Sequence, residues 1–427
     1  MSKLFHHKFS DLYEMSSGIS SKPEQAGHGA PFISFKTVFN NYFLPEELPD
    51  LMDTSEVEQS IFSVKEGDIF LTRTSETLDE LGMSSVAYRD YPNTTYSGFL
   101  KRLRPLKPDE TYPKYMAFYL RSKLFRKTMN NNATMTLRAS LNEQIFSYLD
   151  LLLPSYKEQK NIGDLLFSIY EKIELNNSIN IELEKMAKTI YDYWFVQFDF
   201  PNEDGKPYKS SGGKMLYNET LQHTIPNNWQ IKKLGDFVKS INTGLNPRDH
   251  FKLGTGENFY ITIKNIEYGR LTINSSCDNI DNEALERIQK RSKLEKGDIL
   301  FTSIQPVGKT FLLYEQPQNW NINESVFSFK PNLNIVTSEY LFMLLSSEDV
   351  KQKCQNSSTG SIHKGIRITP LKEFSFAYPS KTIIKSFTEK ISPILEKINH
   401  TQQQNQELAS LRDWLLPMLM NGQIKIE

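Results

Sequence analysis

One short pattern occurs twice in this chain, as Glu66-Gly67-Asp68-Ile69-Phe70-Leu71-Thr72 and as Lys296-Gly297-Asp298-Ile299-Leu300-Phe301-Thr302. In both copies a Gly-Asp turn leads into apolar and aromatic residues that favour a buried β-strand. The preceding sequence repeats as well, since Phe9-Ser10-Asp11-Leu12 corresponds to Leu234-Gly235-Asp236-Phe237. The matches keep their order along the chain, so we predict an internal repeat.

Each copy begins with a region of short strands. Runs of β-branched and aromatic residues, such as Pro31–Phe35 and Asn258–Ile263, are bounded by Gly, Pro, Asn or Asp, as strands between turns are. A helical stretch follows near Tyr115–Met129 in the first copy and near Ser338–Lys353 in the second. We therefore expect each copy to contain a mixed α/β domain.

A long helix is predicted at the end of each copy. Apolar residues are spaced alternately by four and three over both regions, which favours a coiled coil. Neither apolar stripe would be stable in water alone, so we expect the two helices to pack against each other. The predicted seam residues are Ile162, Leu166, Ile169, Ile173, Leu183, Ile190, Phe387, Ile391, Ile394, Ile398, Leu408 and Leu415.

The middle of each predicted seam is polar. Asn176 and Asn180 interrupt the first stripe, and Thr401 and Asn405 interrupt the second. Buried polar groups in a seam weaken a coiled coil but can fix its register and partner. The alternative is a solvated waist at which the helices separate, and the pattern does not decide between the two.

The fold class predicted from these patterns is α+β, with two mixed α/β domains joined by two long helices in a pseudo-twofold internal repeat. The Pro-containing, charged segment after the first helix is typical of a linker. The predicted boundaries are residues 1–155 for the first mixed domain, 156–198 for the first helix, 199–220 for the linker, 221–380 for the second mixed domain and 381–427 for the second helix.

Composition restricts the possible functions. The 427 residues are enough for two to four domains, and 50 Lys+Arg against 51 Asp+Glu leave a net charge of -1 without bulk attraction to nucleic acid. Only Cys277 and Cys354 are present, so neither a disulfide framework nor a structural zinc site is expected. Without a long apolar run, the sequence predicts a cytoplasmic protein.

Motifs of catalysis are missing from the sequence. The seven histidines are scattered, and neither a metalloprotease motif nor a nucleophile elbow occurs. Residues 303–310 end in Gly-Lys-Thr as a phosphate-binding loop does, but Ser303 replaces the first glycine and Pro306 has no N–H for a phosphate. A strand rather than a helix is predicted after this loop. We therefore expect no catalytic residues and no metal site.

Two basic stretches are candidates for nucleic-acid contact. Residues 101–127 contain nine basic side chains, residues 351–372 contain five, and the two stretches overlap in the repeat. Phosphate-tracking surfaces would show this arrangement, and so would solvated helix faces.

Loops after the Gly-Asp strands carry side chains that suit base recognition, because Arg can pair with guanine and Gln with adenine. Side chains that differ between matched loops would suit two sequence preferences, or could reflect drift. The candidate DNA-binding residues are Lys36, Thr72, Arg73, Thr74, Ser75, Arg138 and Ser140 in the first copy, and Lys264, Ser303, Gln305, Lys309, His363, Lys364 and Arg367 in the second.

Over essentially its whole length, the sequence resembles the specificity subunits of type I restriction–modification systems. The resemblance is carried by the two Gly-Asp strands, by Ile225-Pro226-Asn227-Asn228-Trp229 before the second copy, and by Ser358-Thr359-Gly360-Ser361-Ile362. Each motif is short, whereas their repeated order is specific. The first copy departs from the pattern, because it lacks the Pro-x-x-Trp start and has Gly18 where the second has Gly244.

The resemblance implies that the mixed domains are target-recognition domains, each reading half of a bipartite, asymmetric sequence in the major groove of double-stranded DNA. The long helices would be antiparallel and form a spacer that fixes the gap between half-sites. The chain would be a non-catalytic subunit without its own cofactor or membrane contact. It would dock two methyltransferase subunits that bring S-adenosylmethionine, and motor-nuclease subunits that use ATP and Mg²⁺.

Two hypotheses from other classes compete with this one. The chain could be a structural adaptor, with two domains on a coiled-coil rod that bind proteins and no DNA. It could also be a single-chain restriction and methylation enzyme, which the missing catalytic motifs disfavour.

Overall fold

The computed structural model describes residues 3–20, 22–75, 81–132, 139–140, 143–267, 269–274, 276–357 and 365–426. The chain forms two compact units. Unit 1 comprises Met1–Leu175 and Gln404–Glu427, and unit 2 comprises Asn176–Gln403.

The first part of the chain contains eleven described strands and seven described α-helices, of which the last is long. The strands are β1 Phe5–Lys8, β2 Tyr13–Ser17, β3 Ala26–Ile33, β4 Asp50–Met52, β5 Ile69–Thr72, β6 Thr74–Ser75, β7 Ser84–Val86, β8 Thr95–Tyr96, β9 Leu100–Pro105, β10 Ala139–Ser140 and β11 Asp150–Leu153. The helices are α1 Phe9–Leu12, α2 Phe35–Asn40, α3 Glu56–Ile61, α4 Pro113–Tyr119, α5 Lys123–Asn132, α6 Glu143–Tyr148 and α7 Tyr156–Tyr191. A π-helical turn, Asp192–Val196, extends α7.

The second part contains thirteen described strands and five described α-helices. The strands are β12 Met215–Asn218, β13 His223–Pro226, β14 Gln230–Lys233, β15 Val238–Thr243, β16 Asn258–Ile261, β17 Ile266–Glu267, β18 Arg270–Leu271, β19 Asp278–Ile280, β20 Ile299–Thr302, β21 Thr310–Leu312, β22 Trp320–Ile322, β23 Val326–Pro331 and β24 Ser375–Tyr378. The helices are α8 Asn282–Arg291, α9 Ser338–Ser346, α10 Glu348–Ser357, α11 Ile368–Lys372 and α12 Lys381–Met420.

Both units have the same strand order. A four-stranded sheet runs β2-β9-β5-β7 in unit 1 and β15-β23-β20-β21 in unit 2. A three-stranded sheet runs β4-β3-β8 and β19-β16-β22, and in both the last pair is parallel. A strand pair, β1-β11 and β14-β24, accompanies each set. The predicted repeat and mixed α/β fold are therefore confirmed.

The Gly-Asp turn starts the central strand of each unit. Gly67 and Gly297 have φ values of 86° and 89°, a left-handed conformation that favours glycine. The following Asp carboxylates accept backbone N–H groups, from Lys65 at 2.8 Å and from Glu295 at 3.0 Å. This bonding explains why the motif occurs twice, because each turn directs a fully buried strand, β5 or β20, into the core.

The long helices contribute to the core of each unit. In unit 1, Ile162 and Leu166 of α7 share a buried cluster with Leu419 and Met420 of α12. In unit 2, Tyr191 and Trp194 pack on Phe387, with ring centroids 6.1 and 5.7 Å apart, while Asn180 lies opposite Thr401. The two helices are therefore antiparallel in unit 2.

The predicted seam residues are buried to different degrees. Full burial is found for Ile162, Leu166, Ile169, Phe387, Ile391, Ile394 and Ile398. Partial burial is found for Ile173, Leu183, Ile190, Leu408 and Leu415.

The polar centre of the seam is buried. Asn176, Asn180 and Thr401 are each 1–2% exposed, and the Thr401 hydroxyl donates to the Asn180 carbonyl oxygen. The Nδ2 of Asn180 and the Nε2 of Gln402 have no hydrogen-bond partner, which costs stability. Within unit 2 the helices therefore remain packed at Asn176, Asn180 and Thr401, and Asn405 is half-buried.

The segment for which the sequence predicts a linker is folded. The Asp199 carboxylate accepts the backbone N–H of Ser210 at 2.7 Å and its hydroxyl at 2.5 Å. The Phe200 ring stacks on Tyr208 at 4.8 Å and belongs to the buried cluster of unit 2. Residues 199–210 are therefore part of the packed structure of unit 2.

The two repeated aspartates predict different responses to pH. Arg104 holds Asp68 with two bonds of 2.8 and 2.6 Å, whereas the Lys330 amine lies 4.0 Å from Asp298. Burial raises the pKa of Asp298 from 3.8 to about 6. The folded state therefore binds a proton more tightly than the unfolded state, and the stabilisation that this provides is lost as pH rises through this range. The Tm of Asp298→Asn minus the Tm of wild type should be a few degrees higher at pH 8 than at pH 5, because only wild type loses stability as pH rises.

Thermal unfolding at both pH values measures this difference. Asp68→Asn is the matched control, and it should lower Tm at both pH values because it removes the charged partner of Arg104. An Asp298→Asn effect that is the same at pH 5 and pH 8 would contradict the assignment.

Candidate nucleic-acid interface

Five segments of unit 1, distant in sequence, meet at one edge of its sheets. The Arg73 N–H donates to the Phe99 carbonyl at 2.9 Å, and the Ser97 N–H donates to that of Ile33 at 3.0 Å. β6 pairs with β10 through Thr74 and Ser140. We call this set edge 1, and it consists of residues 18–20, 33–36, 73–75, 97–99 and 139–140.

Unit 2 contains a second edge with two corresponding backbone hydrogen bonds. The Ser303 N–H donates to the Ser325 carbonyl at 2.9 Å, and the Asn323 N–H donates to that of Ile261 at 2.8 Å. Ile304 pairs with Gly365 in an antiparallel bridge. Edge 2 consists of residues 244–246, 261–264, 303–305, 323–325 and 365–367.

A glycine allows two chain segments to cross at each edge. A Cβ atom on Gly18 would lie 2.3 Å from the Tyr96 carbonyl oxygen, and one on Gly244 would lie 1.7 Å from that of Ile322. The two glycines therefore perform the same task. The two glycines lie at different distances from the neighbouring motif residues in the sequence, but they occupy corresponding positions in the structure.

The edges bring several predicted DNA-binding residues together. Arg73 belongs to edge 1 and Gln305 to edge 2, and both side chains are exposed. Lys36, Lys264 and Arg367 are also exposed within these segments. Thr74 is half-buried, whereas Ser75 and Ser140 are placed by backbone pairing alone. Arg138, His363 and Lys364 lie outside the described residues.

The side chains of three other candidates form hydrogen bonds or ion pairs within the fold. Thr72 is fully buried, and its hydroxyl accepts the Met83 N–H at 2.9 Å. The buried Ser303 hydroxyl donates to the Ser325 carbonyl at 2.9 Å. The Lys309 amine lies 2.5 Å from a carboxylate oxygen of Glu267, and its side chain is 13% exposed. The Thr72 and Ser303 hydroxyls and the Lys309 amine are therefore bonded within the fold.

Two arginines of the first basic stretch form bonds that stabilise the fold. Arg121 donates to the backbone carbonyls at the end of α2, which belong to Val38, Phe39 and Asn41, at 2.7–2.9 Å. Burial lowers the pKa of its guanidinium to about 10. Arg104 is bound to Asp68. Both guanidinium groups are therefore bonded within the fold, whereas Lys123 and Lys127 of the same stretch are exposed.

The second basic stretch is also partly paired within the fold. The Lys351 amine donates to Glu348 at 2.9 Å, and Lys353 forms an ion pair with Asp349. Arg367 remains exposed on edge 2.

One residue at each edge was not among the candidates predicted from the sequence. Phe99 is 65% exposed, and its carbonyl is bonded to Arg73. Glu324 lies between Asn323 and Ser325 on edge 2, and its carboxylate accepts a hydrogen bond from the Asn246 amide at 3.0 Å. The corresponding turns 97–99 and 323–325 share no residue at matched positions, so the sequence offered no signal for them. Their position at the edge depends on strand order, which short motifs do not reveal.

Other kinds of site are not supported by the described residues. They contain no group of three His, Cys, Asp or Glu side chains that could hold a metal ion. The loop that resembles a phosphate-binding loop runs into strand β21, as predicted. No helix among the described residues is both long and apolar enough to cross a membrane.

Comparison with known families gives a match in both halves of the chain. The profile described as the type I restriction modification DNA specificity domain matches residues 8–185 and 226–410. The two matches each include one edge.

Individual relatives match almost the whole chain. The chain is 24% identical to the type I restriction enzyme MjaIX specificity subunit of Methanocaldococcus jannaschii, over 98% of this chain and 93% of the relative. It is 23% identical to the HindI specificity subunit of Haemophilus influenzae, over 92% and 94%. A solved type I restriction–modification S subunit from M. genitalium has a similar fold, with a TM-score of 0.59 and 15% identity over 98% of this chain and 96% of that one.

The close crossing at edge 2 predicts a large effect of one methyl group. Gly244→Ala should lower the free energy of unfolding by about 3 kcal/mol, because the new Cβ overlaps the Ile322 carbonyl and the backbone must move. Denaturant unfolding measures the loss. Gly235→Ala is the control, since its Cβ would lie 3.4 Å from the nearest atom. Equal stability of the two variants would show that the crossing is not tight.

Proposed function

The chain belongs to the type I restriction–modification DNA specificity family, and we propose that edge 1 and edge 2 each read one half of a bipartite, asymmetric DNA sequence. Members of this family are non-catalytic DNA-recognition subunits. The observation that carries the proposal is that one scaffold occurs twice with different side chains at matched positions. Arg73 and Phe99 are exposed on edge 1, whereas the matched residues of edge 2 are the buried Ser303 and the half-buried Ser325.

The exposed side chains suit direct reading of bases in the major groove. An Arg side chain can donate two hydrogen bonds to guanine, and Gln can both donate to and accept from adenine. Arg73 and Gln305 are presented by backbone segments that are bonded to neighbouring segments. Such rigid presentation reduces the ordering cost of binding.

Partner subunits complete the proposed function. The chain would dock two methyltransferase subunits, which bring S-adenosylmethionine, and motor-nuclease subunits, which use ATP and Mg²⁺. Its net charge of -1 and the internal pairing of the basic stretches favour DNA affinity that depends on these partners. The adaptor hypothesis is not favoured, because the family is one of DNA specificity.

Helices α7 and α12 would set the gap between the half-sites. A packed helix pair holds a fixed spacing better than a flexible linker does. Burial of the polar layer formed by Asn176, Asn180 and Thr401 in unit 2 supports this role.

Replacement of Arg73 or Gln305 should weaken recognition of one half-site only. We expect Arg73→Ala and Gln305→Ala each to cost about 1–3 kcal/mol on the cognate sequence and little on random DNA, because base contacts are lost. Competition binding with the methyltransferase subunits present measures both values.

Matched controls are Lys123→Ala and Gln230→Ala, which alter exposed side chains outside the two edges. Equal losses on cognate and random DNA would reassign Arg73 or Gln305 to phosphate contact or folding.

Shortening both long helices should change the gap. Deletion of residues 177–183 together with 398–404 removes one heptad at the level of the Asn180–Thr401 bond and preserves the seam spacing. It shortens the helix pair by about 10.5 Å, or about three base pairs. Methylation mapping of the assembled complex should show a shorter gap with unchanged half-sites, and insertion of a heptad should lengthen it. An unchanged gap would contradict the spacer role.

A further inference from the structure

We propose that Glu324 selects one base of the half-site read by edge 2, by accepting a hydrogen bond from the amino group of cytosine. The inference rests on the proposed function, and it assigns a specificity-determining residue that is not apparent from the sequence motifs. Three features carry it, namely a fixed backbone, an oriented carboxylate and the absence of a basic partner.

The backbone on both sides of Glu324 is fixed. The Asn323 N–H donates to the Ile261 carbonyl at 2.8 Å. The Ser325 carbonyl accepts both the N–H and the hydroxyl of Ser303, each at 2.9 Å. Glu324 therefore projects from a turn whose two neighbours are bonded to other segments of edge 2.

The carboxylate itself is oriented by other side chains. The Asn246 side-chain amide donates to Oε1 at 3.0 Å. The Asn246 side chain is itself fixed, because its Oδ1 accepts the Arg248 backbone N–H at 2.8 Å. The buried Tyr260 hydroxyl lies 3.2 Å from Oε2 and 2.6 Å from the Leu245 carbonyl. Lone pairs remain free on both carboxylate oxygens.

No Lys or Arg in the described part of the chain forms an ion pair with Glu324, which is half-buried at edge 2. An unneutralised carboxylate beside DNA is repelled by phosphates, so it favours binding only where it accepts a hydrogen bond from a base. In the major groove, the cytosine and adenine amino groups are the donors. The adenine amino group lies beside the acceptor N7, which opposes a carboxylate, so cytosine fits better.

The same position in unit 1 lacks a side chain. Ser97 and Asn323 donate to matched carbonyls, and Phe99 and Ser325 accept from matched N–H groups. Gly98 therefore corresponds to Glu324. A base selected by Glu324 should accordingly be a property of the edge 2 half-site alone.

Glu324→Gln tests the assignment with little change of shape. Competition binding should use the complex with its methyltransferase subunits and duplexes that carry each of the four bases at each half-site position. At one position of one half-site, wild type should prefer cytosine by about 10- to 100-fold. Glu324→Gln should lose this preference and keep all others, and Asn246→Ser should weaken it at the same position.

Glu257→Gln is the matched control. Glu257 is exposed and lies just before the start of β16, whereas the edge 2 segment 261–264 lies at the end of that strand. It should keep every preference. Unchanged preferences in Glu324→Gln, a loss spread over all positions, or selection of a base other than cytosine would overturn the inference. A wild-type complex that distinguishes no bases would instead overturn the proposed function. Thermal unfolding of each variant separates loss of reading from loss of folding.

Discussion

The Gly-Asp turn before each central strand is the constraint on which the rest of both units depends. Gly67 and Gly297 supply the left-handed backbone, and Asp68 and Asp298 accept N–H groups within the turn. These contacts bring β5 and β20 into the sheets with all of their residues buried. The segments that follow these strands consequently emerge at the two edges. One local hydrogen-bonded turn therefore determines where both candidate reading surfaces form.

The two units combine an unchanged scaffold with variable surface side chains. Two backbone hydrogen bonds between matched segments occur at both edge 1 and edge 2, whereas Phe99 and Ser325 differ at matched positions. Backbone bonding tolerates this variation because it does not involve the exposed side chains. Such an arrangement allows two half-sites with unrelated sequences to be read by one fold, which is what an asymmetric target requires.

The sequence predicted the repeat because short motifs recur in the same order, and it predicted the helix pair because apolar residues recur at helical spacing. It did not predict which candidate side chains are exposed. Thr72 is polar but closes a buried strand, and its hydroxyl is bonded to Met83. Arg121 is basic, yet it binds backbone carbonyls from α2. Both outcomes depend on contacts between segments far apart in the chain.

The central claim is that the two edges read separate halves of one DNA target. Sequencing of methylated sites in a host that carries this chain with its methyltransferase subunits tests it most directly. The account predicts a single asymmetric sequence made of two specific half-sites separated by a nonspecific gap of constant length. A contiguous target, a palindromic target or methylation without sequence preference would contradict it.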